Sequence, residues 1–254
     1  MGWEHALAAG WVAFLWWFST GAILHLDRLE PRTYPLSLAG ATALLAAGLA
    51  GILATKDATT AAGAYGAFAS ALLVWAWAEV SFLLGYVTGP RRQRQSAPGW
   101  GRLRQAVATI LWHELATLGL LAVVVAITQG APNGLAWQTF ALLWALRASA
   151  KLNLFLGVRN TGEAMLPPHL GYLASYFPSR ACNALLPVSM IAMVVAAVAA
   201  AGVATDPLGR PHEALAHTMI ATLLGLAALE HAFMVLPFDA ERLFAWARPT
   251  SPRP

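Results

Sequence analysis

The sequence predicts an all-α fold, a polytopic membrane bundle of about seven transmembrane helices, and three observations carry that prediction. Hydrophobic residues make up 58% of the 254 positions and charged residues only 11%. The apolar residues come in blocks of about twenty, the length that crosses a hydrocarbon core of about 30 Å as a helix. Lipid offers no partner to backbone N–H and C=O groups, so helices are the expected spanning form. No composition shift marks a separate soluble unit, and residues 1–254 read as a single transmembrane helical domain.

The first span, residues 6–26, has no basic leader and too long an apolar stretch for a cleaved signal peptide. Spans at 36–54 and 183–203 are rich in Ala and Gly ("AGATALLAAGLAG", "VVAAVAAAG"), which permits close helix contact in lipid and marks them as packing scaffold. The remaining spans are expected at 63–86, 105–129, 133–155 and 213–236. Short turns rich in Gly, Pro, Asn and Asp join them on one side ("TKDATT", "GAPNG", "TDPLGRP"). On the other side lie a basic loop, "GPRRQRQSAPGWGRLR" (89–104), and the stretch 156–182. After Pro167 and Pro168 the latter offers Leu170, Tyr172, Leu173, Tyr176 and Phe177, a short helix expected to lie in the membrane interface.

A net charge of +4 could suggest nucleic acid, but its distribution points to the bilayer. Of the 16 Lys and Arg residues, Lys56 and Arg210 fall on one side of the membrane. All the others fall on the opposite side: Arg28, Arg32, Arg91, Arg92, Arg94, Arg102, Arg104, Arg147, Lys151, Arg159, Arg180, Arg242, Arg248 and Arg253. By the positive-inside rule the N-terminus is outside and the C-terminus cytoplasmic. The lone Cys182 excludes an intrachain disulfide framework and a cysteine metal knuckle, and a buried, inert thiol is expected.

Ionisable groups are expensive in hydrocarbon and mark functional or paired positions. Glu79 lies in the third span, His113 and Glu114 in the fourth, and Glu230 and His231 in the seventh. At about 1.5 Å per residue, Glu79 is about 15 Å from Gly89, His113 about 14 Å from Arg104, and Glu230 about 14 Å from Asp239. Three helices therefore place three carboxylates and two imidazoles in one layer near the midplane. Arg147, Lys151 and Asn153 of the fifth span join it at similar or shallower depth, with Arg147 and Lys151 four apart on one helix face.

Several chemistries suit such a layer. The carboxylates can pair with Arg147 and Lys151, specifying which helices meet, or take part in proton transfer. Alternatively Glu79, His113, Glu114, Glu230 and His231 could hold iron, manganese or zinc. Helical di-metal sites use Glu-x-x-His, whereas His113-Glu114 and Glu230-His231 are adjacent and point about 100° apart, so one pair does not chelate one ion. Pigment or quinone ligation by the imidazoles is the third option. Trp16, Trp17, Trp75, Trp77, Trp112 and Trp144 read mainly as lipid-facing or packing residues.

Six strings resemble the photosynthetic complex assembly (PuhE) family of purple phototrophic bacteria: "WWFSTGAILHLD" (16–27), "GPRR" (89–92), "WHEL" (112–115), "LWALRASAKLNLFLGVRN" (143–160), "LPPHLGYLASYF" (166–177) and "LEHAFMVLP" (229–237). The resemblance implies seven spans and a place in the bacterial inner membrane, cytoplasmic or intracytoplasmic. It also implies a role in reaction-centre assembly and bacteriochlorophyll supply, and an association with the operon that includes the reaction-centre H subunit. Reaction-centre subunits or pigment-synthesis proteins are the partners implied, and no nucleic acid. His113, Glu114, Arg147, Lys151, Asn153, Arg159, Asn160, Glu230 and His231 lie inside the matching strings; Glu79 rests on depth alone. The expected function is a non-catalytic assembly factor, with Arg147, Lys151, Asn153, Arg159 and Asn160 as structural or partner contacts. His113 and His231 are its candidate ligands to bacteriochlorophyll magnesium. The alternative is a membrane metalloenzyme with an iron or manganese site, acting on a pigment or isoprenoid intermediate.

Overall fold

The computed structural model describes residues 2–238 and 240–247; Asp239, Arg248 and Arg253 lie outside the described residues. Seven long helices follow one another: α1 (Trp3–Leu26), α2 (Tyr34–Thr55), α3 (Ala61–Leu83), α4 (Gly99–Thr128), α5 (Leu135–Leu156), α6 (Leu185–Ala204) and α7 (Pro211–Phe233). No strand occurs among the described residues, apart from one isolated bridge between Val158 and Ser179. Six of the seven are long and apolar enough to cross a membrane. The exception is α5, which has the length but interleaves Gln138, Arg147, Lys151 and Asn153 among its apolar residues. Six helices thus meet the apolar criterion where the sequence counts seven spans.

The bundle is organised around α3, which buries 61% of its apolar window against 17% for α1, α2, α4 and α6. Its residues Ala64, Ala67, Phe68, Ala71 and Val74 pack with Val12, Ile52, Phe140 and Met219 in one core. Small residues let α2 approach it closely. A Cβ on Gly51 would stand 2.2 Å from Ser70 Oγ, and one on Gly48 would stand 2.8 Å from Ser70 O. Without a hydrophobic force between helices in lipid, this fit is what brings the two together.

At the end where α1, α3, α5 and α7 finish, α3 and α7 stop short of the expected boundaries, whereas α1 and α5 end within one residue of theirs. α3 ends at Leu83 and α7 at Phe233, each three residues early, while α4 starts six residues sooner, at Gly99. A helix end leaves carbonyls without intrahelical partners, and in a dry environment each must find another. The segment between α5 and α6 supplies them. His169 Nε2 donates to Leu83 O of α3 at 2.8 Å. Asn160 Nδ2 donates to Phe233 O and Leu236 O of the α7 end at 2.7 and 2.6 Å. Asn183 Nδ2 donates to Asn153 O and Gly157 O of the α5 end, while its Oδ1 accepts from the Leu185 and Leu186 amides that open α6. Arg102 of α4 donates to Phe155 O and Tyr176 O, with its guanidinium 4.1 Å from the Phe155 ring centre.

The 3-10 segment Pro168–Tyr176 turns part of its apolar face into the bundle, while Tyr172 and Phe177 stay half-buried. Leu170, Leu173 and Tyr176 are buried, and the two leucines pack on Phe82 and Leu83, which the early end of α3 leaves to be covered. Cys182 is not buried; it lies exposed in the turn before α6. The loop after α3 runs against α4: His113 N donates to Thr88 O at 2.9 Å and Arg91 N to Ala108 O at 3.2 Å. Gly89 makes this approach possible, because a Cβ there would stand 2.1 Å from Ala108 O. The segment Ala240–Ala247 lies along α1, with Trp17 Nε1 donating to Leu243 O and the Trp246 ring seated on Gly21. At the opposite end of the bundle, the fully buried Asn133 donates to Thr55 O, Ala58 O and Gly63 O, tying the α2–α3 turn to the start of α5.

Asp27, just past α1, is 1% exposed, and neither carboxyl oxygen has a hydrogen-bond partner among the described residues. Burial pushes its pKa up from 3.8 to about 7, against a smaller opposing pull from Arg28.

Two outcomes follow from these ends. Asn183→Ala removes side-chain bonds at two helix termini and should cost about 2–4 kcal/mol; thermal unfolding in mild detergent checks it, and an unchanged midpoint would refute the capping role. Because its folded pKa is raised, Asp27 favours the fold most where it is protonated and progressively disfavours it as pH rises from 3.8 to 7. Asp27→Asn should therefore raise the unfolding midpoint more at pH 8 than at pH 5. An equal shift at both values would contradict the burial of an ionisable acid.

Candidate functional site

The ionisable layer is real, and α5 is its spine. Trp144, Arg147 and Lys151 recur at i, i+3 and i+7, so one stripe of α5 faces the acids of its neighbours. Arg147 Nη2 donates to Glu79 Oε2 of α3 at 3.0 Å. One turn further on, Lys151 Nζ donates to Glu114 Oε1 of α4 at 2.5 Å, while Trp144 Nε1 donates to Glu114 Oε2 at 3.3 Å. Two ion pairs thus tie α5 to the two helices beside it.

The adjacent pairs split as their 100° separation requires. His113 turns toward α3, its ring 4.6 Å from that of Phe82, while Glu114 turns to α5. His231 turns to α5, where Nε2 meets Ser149 Oγ at 3.1 Å and Nδ1 donates to Ala227 O at 2.9 Å. Glu230 turns to α1 and accepts from Trp16 Nε1 at 2.9 Å. Glu79, His113, Glu114, Arg147 and Lys151 form one electrostatically coupled group, and Glu230 lies within electrostatic reach of Arg147 and Glu79. His231 stands apart, on the α5–α6–α7 side. There Asn153 donates to Ser149 O and Ser189 Oγ. Asn160 caps α7, and Arg159 is exposed on the loop beyond α5, outside the network.

The depth of the layer differs from the sequence expectation. Glu79 is only about 6 Å from the end of α3 and Glu230 about 5 Å from the end of α7, whereas His113 is about 21 Å along α4. Glu79 and Glu230 occupy last turns, beneath the loops, and still share a level with His113 because α4 starts early. Their negative charge meets the negative end of each helix dipole, and for Glu79 the Arg147 guanidinium offsets it.

Two further participants escaped the sequence reading: Trp16 and Trp144 are carboxylate donors rather than lipid-facing or packing residues only. For Trp144 a signal existed, since it shares the face of Arg147 and Lys151. For Trp16 none did, because its partner belongs to the far end of the chain.

The donor set does not fit a metal ion. Among the described residues no three His, Cys, Asp or Glu side chains gather as an ion requires. Glu79 and Glu114 are committed to cations and Glu230 to an indole. Both candidate pigment ligands, His113 and His231, are enclosed at 2% and 1% exposure. Three buried polar atoms of the layer have no partner among the described residues: Glu79 Oε1, His113 Nδ1 and Asn153 Oδ1.

Removing one member of the Arg147–Glu79 pair strands a charge. Glu79→Gln should cost about 2–3 kcal/mol, below the figure for a fully enclosed pair because Arg147 stays 47% exposed. The double variant Glu79→Gln with Arg147→Gln should lose less than the sum of the two single losses. Strict additivity in thermal unfolding would show that the two side chains do not act together.

No solved structure matches the chain. A protein of Rhodobacter capsulatus described as an uncharacterized 30.4 kDa protein in the puhA 5' region is 36% identical over 247 residues, covering 93% of this chain and 88% of the relative. Residues 3–254 match the family described as "Protein of unknown function (DUF3623)", and the chain belongs to that family.

Proposed function

We propose that this chain is a membrane assembly factor for a photosynthetic complex, acting at the reaction centre or in bacteriochlorophyll supply by binding proteins and pigment in the bilayer. The observation that carries the reading is the relative placed beside puhA, similar over nearly the whole chain. The PuhE-like strings support the same role, and they hold both ion-pairing residues of α5 and the capping residues Asn160 and His169. The membrane is then the bacterial inner membrane, with the basic loops, Arg91 to Arg104, on the cytoplasmic side.

The chemistry of the layer favours assembly over catalysis. A metalloenzyme needs converging, uncommitted ligands, whereas these carboxylates are spent on holding helices together. A buried pair of this kind contributes little net stability but specifies which helices meet. Partners then meet the perimeter: the exposed α6 face of Val188, Ile191, Val195 and Val198, and the aromatic face of Phe14, Trp17, Phe18 and Trp246. Neither enclosed imidazole is assigned a pigment, so pigment contact falls to these outer faces.

Deletion of the gene in a phototrophic host should lower reaction-centre absorption in membranes, with restoration by the intact chain. A tagged chain from phototrophically grown cells should carry reaction-centre subunits or pigment-synthesis proteins. Normal reaction-centre yield in the deletion strain would overturn the proposal.

A further inference from the structure

Five arginines and no acid stand between Gly89 and Arg104. Their hydrogen bonds within the chain go to neutral acceptors. Arg91 donates to Tyr176 Oη, Arg94 O and Ser96 Oγ, Arg92 to Gly85 O, and Arg102 to Phe155 O and Tyr176 O. No carboxylate pairs with any of the five among the described residues. Such bonds satisfy donors without cancelling charge, so this end of the molecule keeps a surplus of positive charge. Arg94 and Arg104 are exposed, and neither side chain has a partner among the described residues.

Arg104 differs from Arg94 in what lies beside it. It shares a shallow groove of about 380 Å³ on α4 with Trp100, Leu103, Val107, Ala108 and Leu111. These positions recur every three or four residues and so form one helix face. Arg102, two residues away and about 200° round the helix, is tied to the α5 end, which turns the groove outward. With 30 residues, α4 is about 45 Å long, about 15 Å more than a hydrocarbon core. With Thr128 at one boundary of that core, Trp100 and Arg104 fall at headgroup level, Val107 at the edge and Leu111 inside.

We infer that this groove holds an anionic phospholipid, its phosphate received by Arg104 and its acyl chain lying along Leu103, Val107 and Leu111. Basic segments beside a membrane helix attract anionic lipid, and here the attraction is joined to a place for the chain. Trp100, 81% exposed, brings an indole to the boundary between headgroup and chain, where tryptophan is favoured. Ala108 lines the groove and its carbonyl accepts from Arg91 N, so the basic loop runs along the edge of the site. A zwitterionic lipid would fill the groove and leave the charge uncancelled. An acidic protein segment would cancel the charge and have no use for the apolar floor. The site rests on the membrane architecture and does not depend on the assembly role.

The test uses the full chain in phosphatidylcholine bilayers. The quenching probe is phosphatidylglycerol or phosphatidylcholine brominated on its acyl chains. Trp100 is one of 11 tryptophans, so its share of the fluorescence is the difference between the chain and Trp100→Phe. Brominated phosphatidylglycerol should quench that share at a lower mole fraction than brominated phosphatidylcholine. Arg104→Gln should weaken the preference about fivefold, and Arg104→Lys should keep it, since a phosphate accepts a point charge. Arg94→Gln, off the groove, should change it by less than about twofold, the loop's diffuse contribution. Both arginines are exposed and unpartnered among the described residues, so neither variant removes a contact that the fold uses. Equal quenching by the two lipids would overturn the inference. Equal losses in Arg94→Gln and Arg104→Gln would overturn it as well, by reducing the effect to the loop's overall charge. Relief of the quenching by polyglutamate would assign the face to an acidic protein and overturn the lipid site.

Discussion

A helix ends with carbonyls that its own turns cannot receive, and three helices of this bundle end where one connecting segment receives them. His169, Asn160 and Asn183 reach α3, α7 and α5 respectively, from positions spread over residues 157–184. Each contributes a neutral or weakly basic donor to the negative pole of a helix, where it is favoured by the dipole as well as by the bond itself. The early ends have a structural consequence. They make room for the 84–98 loop and the 240–247 segment to pack back into the bundle, against α4 and α1.

The charged layer is a product of the same ends. Glu79 and Glu230 occupy last turns, a poor position for a negative charge on dipole grounds. Arg147 on α5 makes the arrangement tolerable for Glu79, with Glu230 in its reach. The sequence that makes α5 insufficiently apolar to pass as a span by itself is the sequence that bonds it to α3 and α4. Paired with those neighbours, the cations of α5 are not left without a counter-charge.

Much of this was legible in the sequence, for reasons that also explain the remainder. Length and apolar blocks fixed where all seven helices lie, because spanning demands twenty residues whatever the neighbours. The grouping of Glu79, His113 and Glu230 at one level was legible too, though the depth arithmetic assumed α3 and α7 continue to Gly89 and Asp239. The level survived because α4 starts at Gly99. What did not show was anything set by contacts distant in sequence. The caps join residues some 75 to 85 positions apart, as in Asn160 to Phe233 and His169 to Leu83. A buried Leu173 and an interfacial one give the same periodicity. Trp16 carries no local sign that Glu230, 214 positions away, will meet its N–H.

The two ion pairs also separate what the layer can do from what its composition suggests. Three carboxylates, two imidazoles and two cations within four neighbouring helices would supply ligands, acids and bases in many arrangements. Rotation of the helices decides among them. With α4 turned so that Glu114 meets Lys151, His113 must face Phe82. With α7 turned so that His231 meets Ser149, Glu230 must face Trp16. Each adjacent pair is thus pulled apart by its own helix, and no rotation of α4 or α7 brings both members to one point. The backbone of α4 and α7 therefore hands each member of an adjacent pair to a different neighbour, and helix rotation rather than composition decides which side chains of the layer meet.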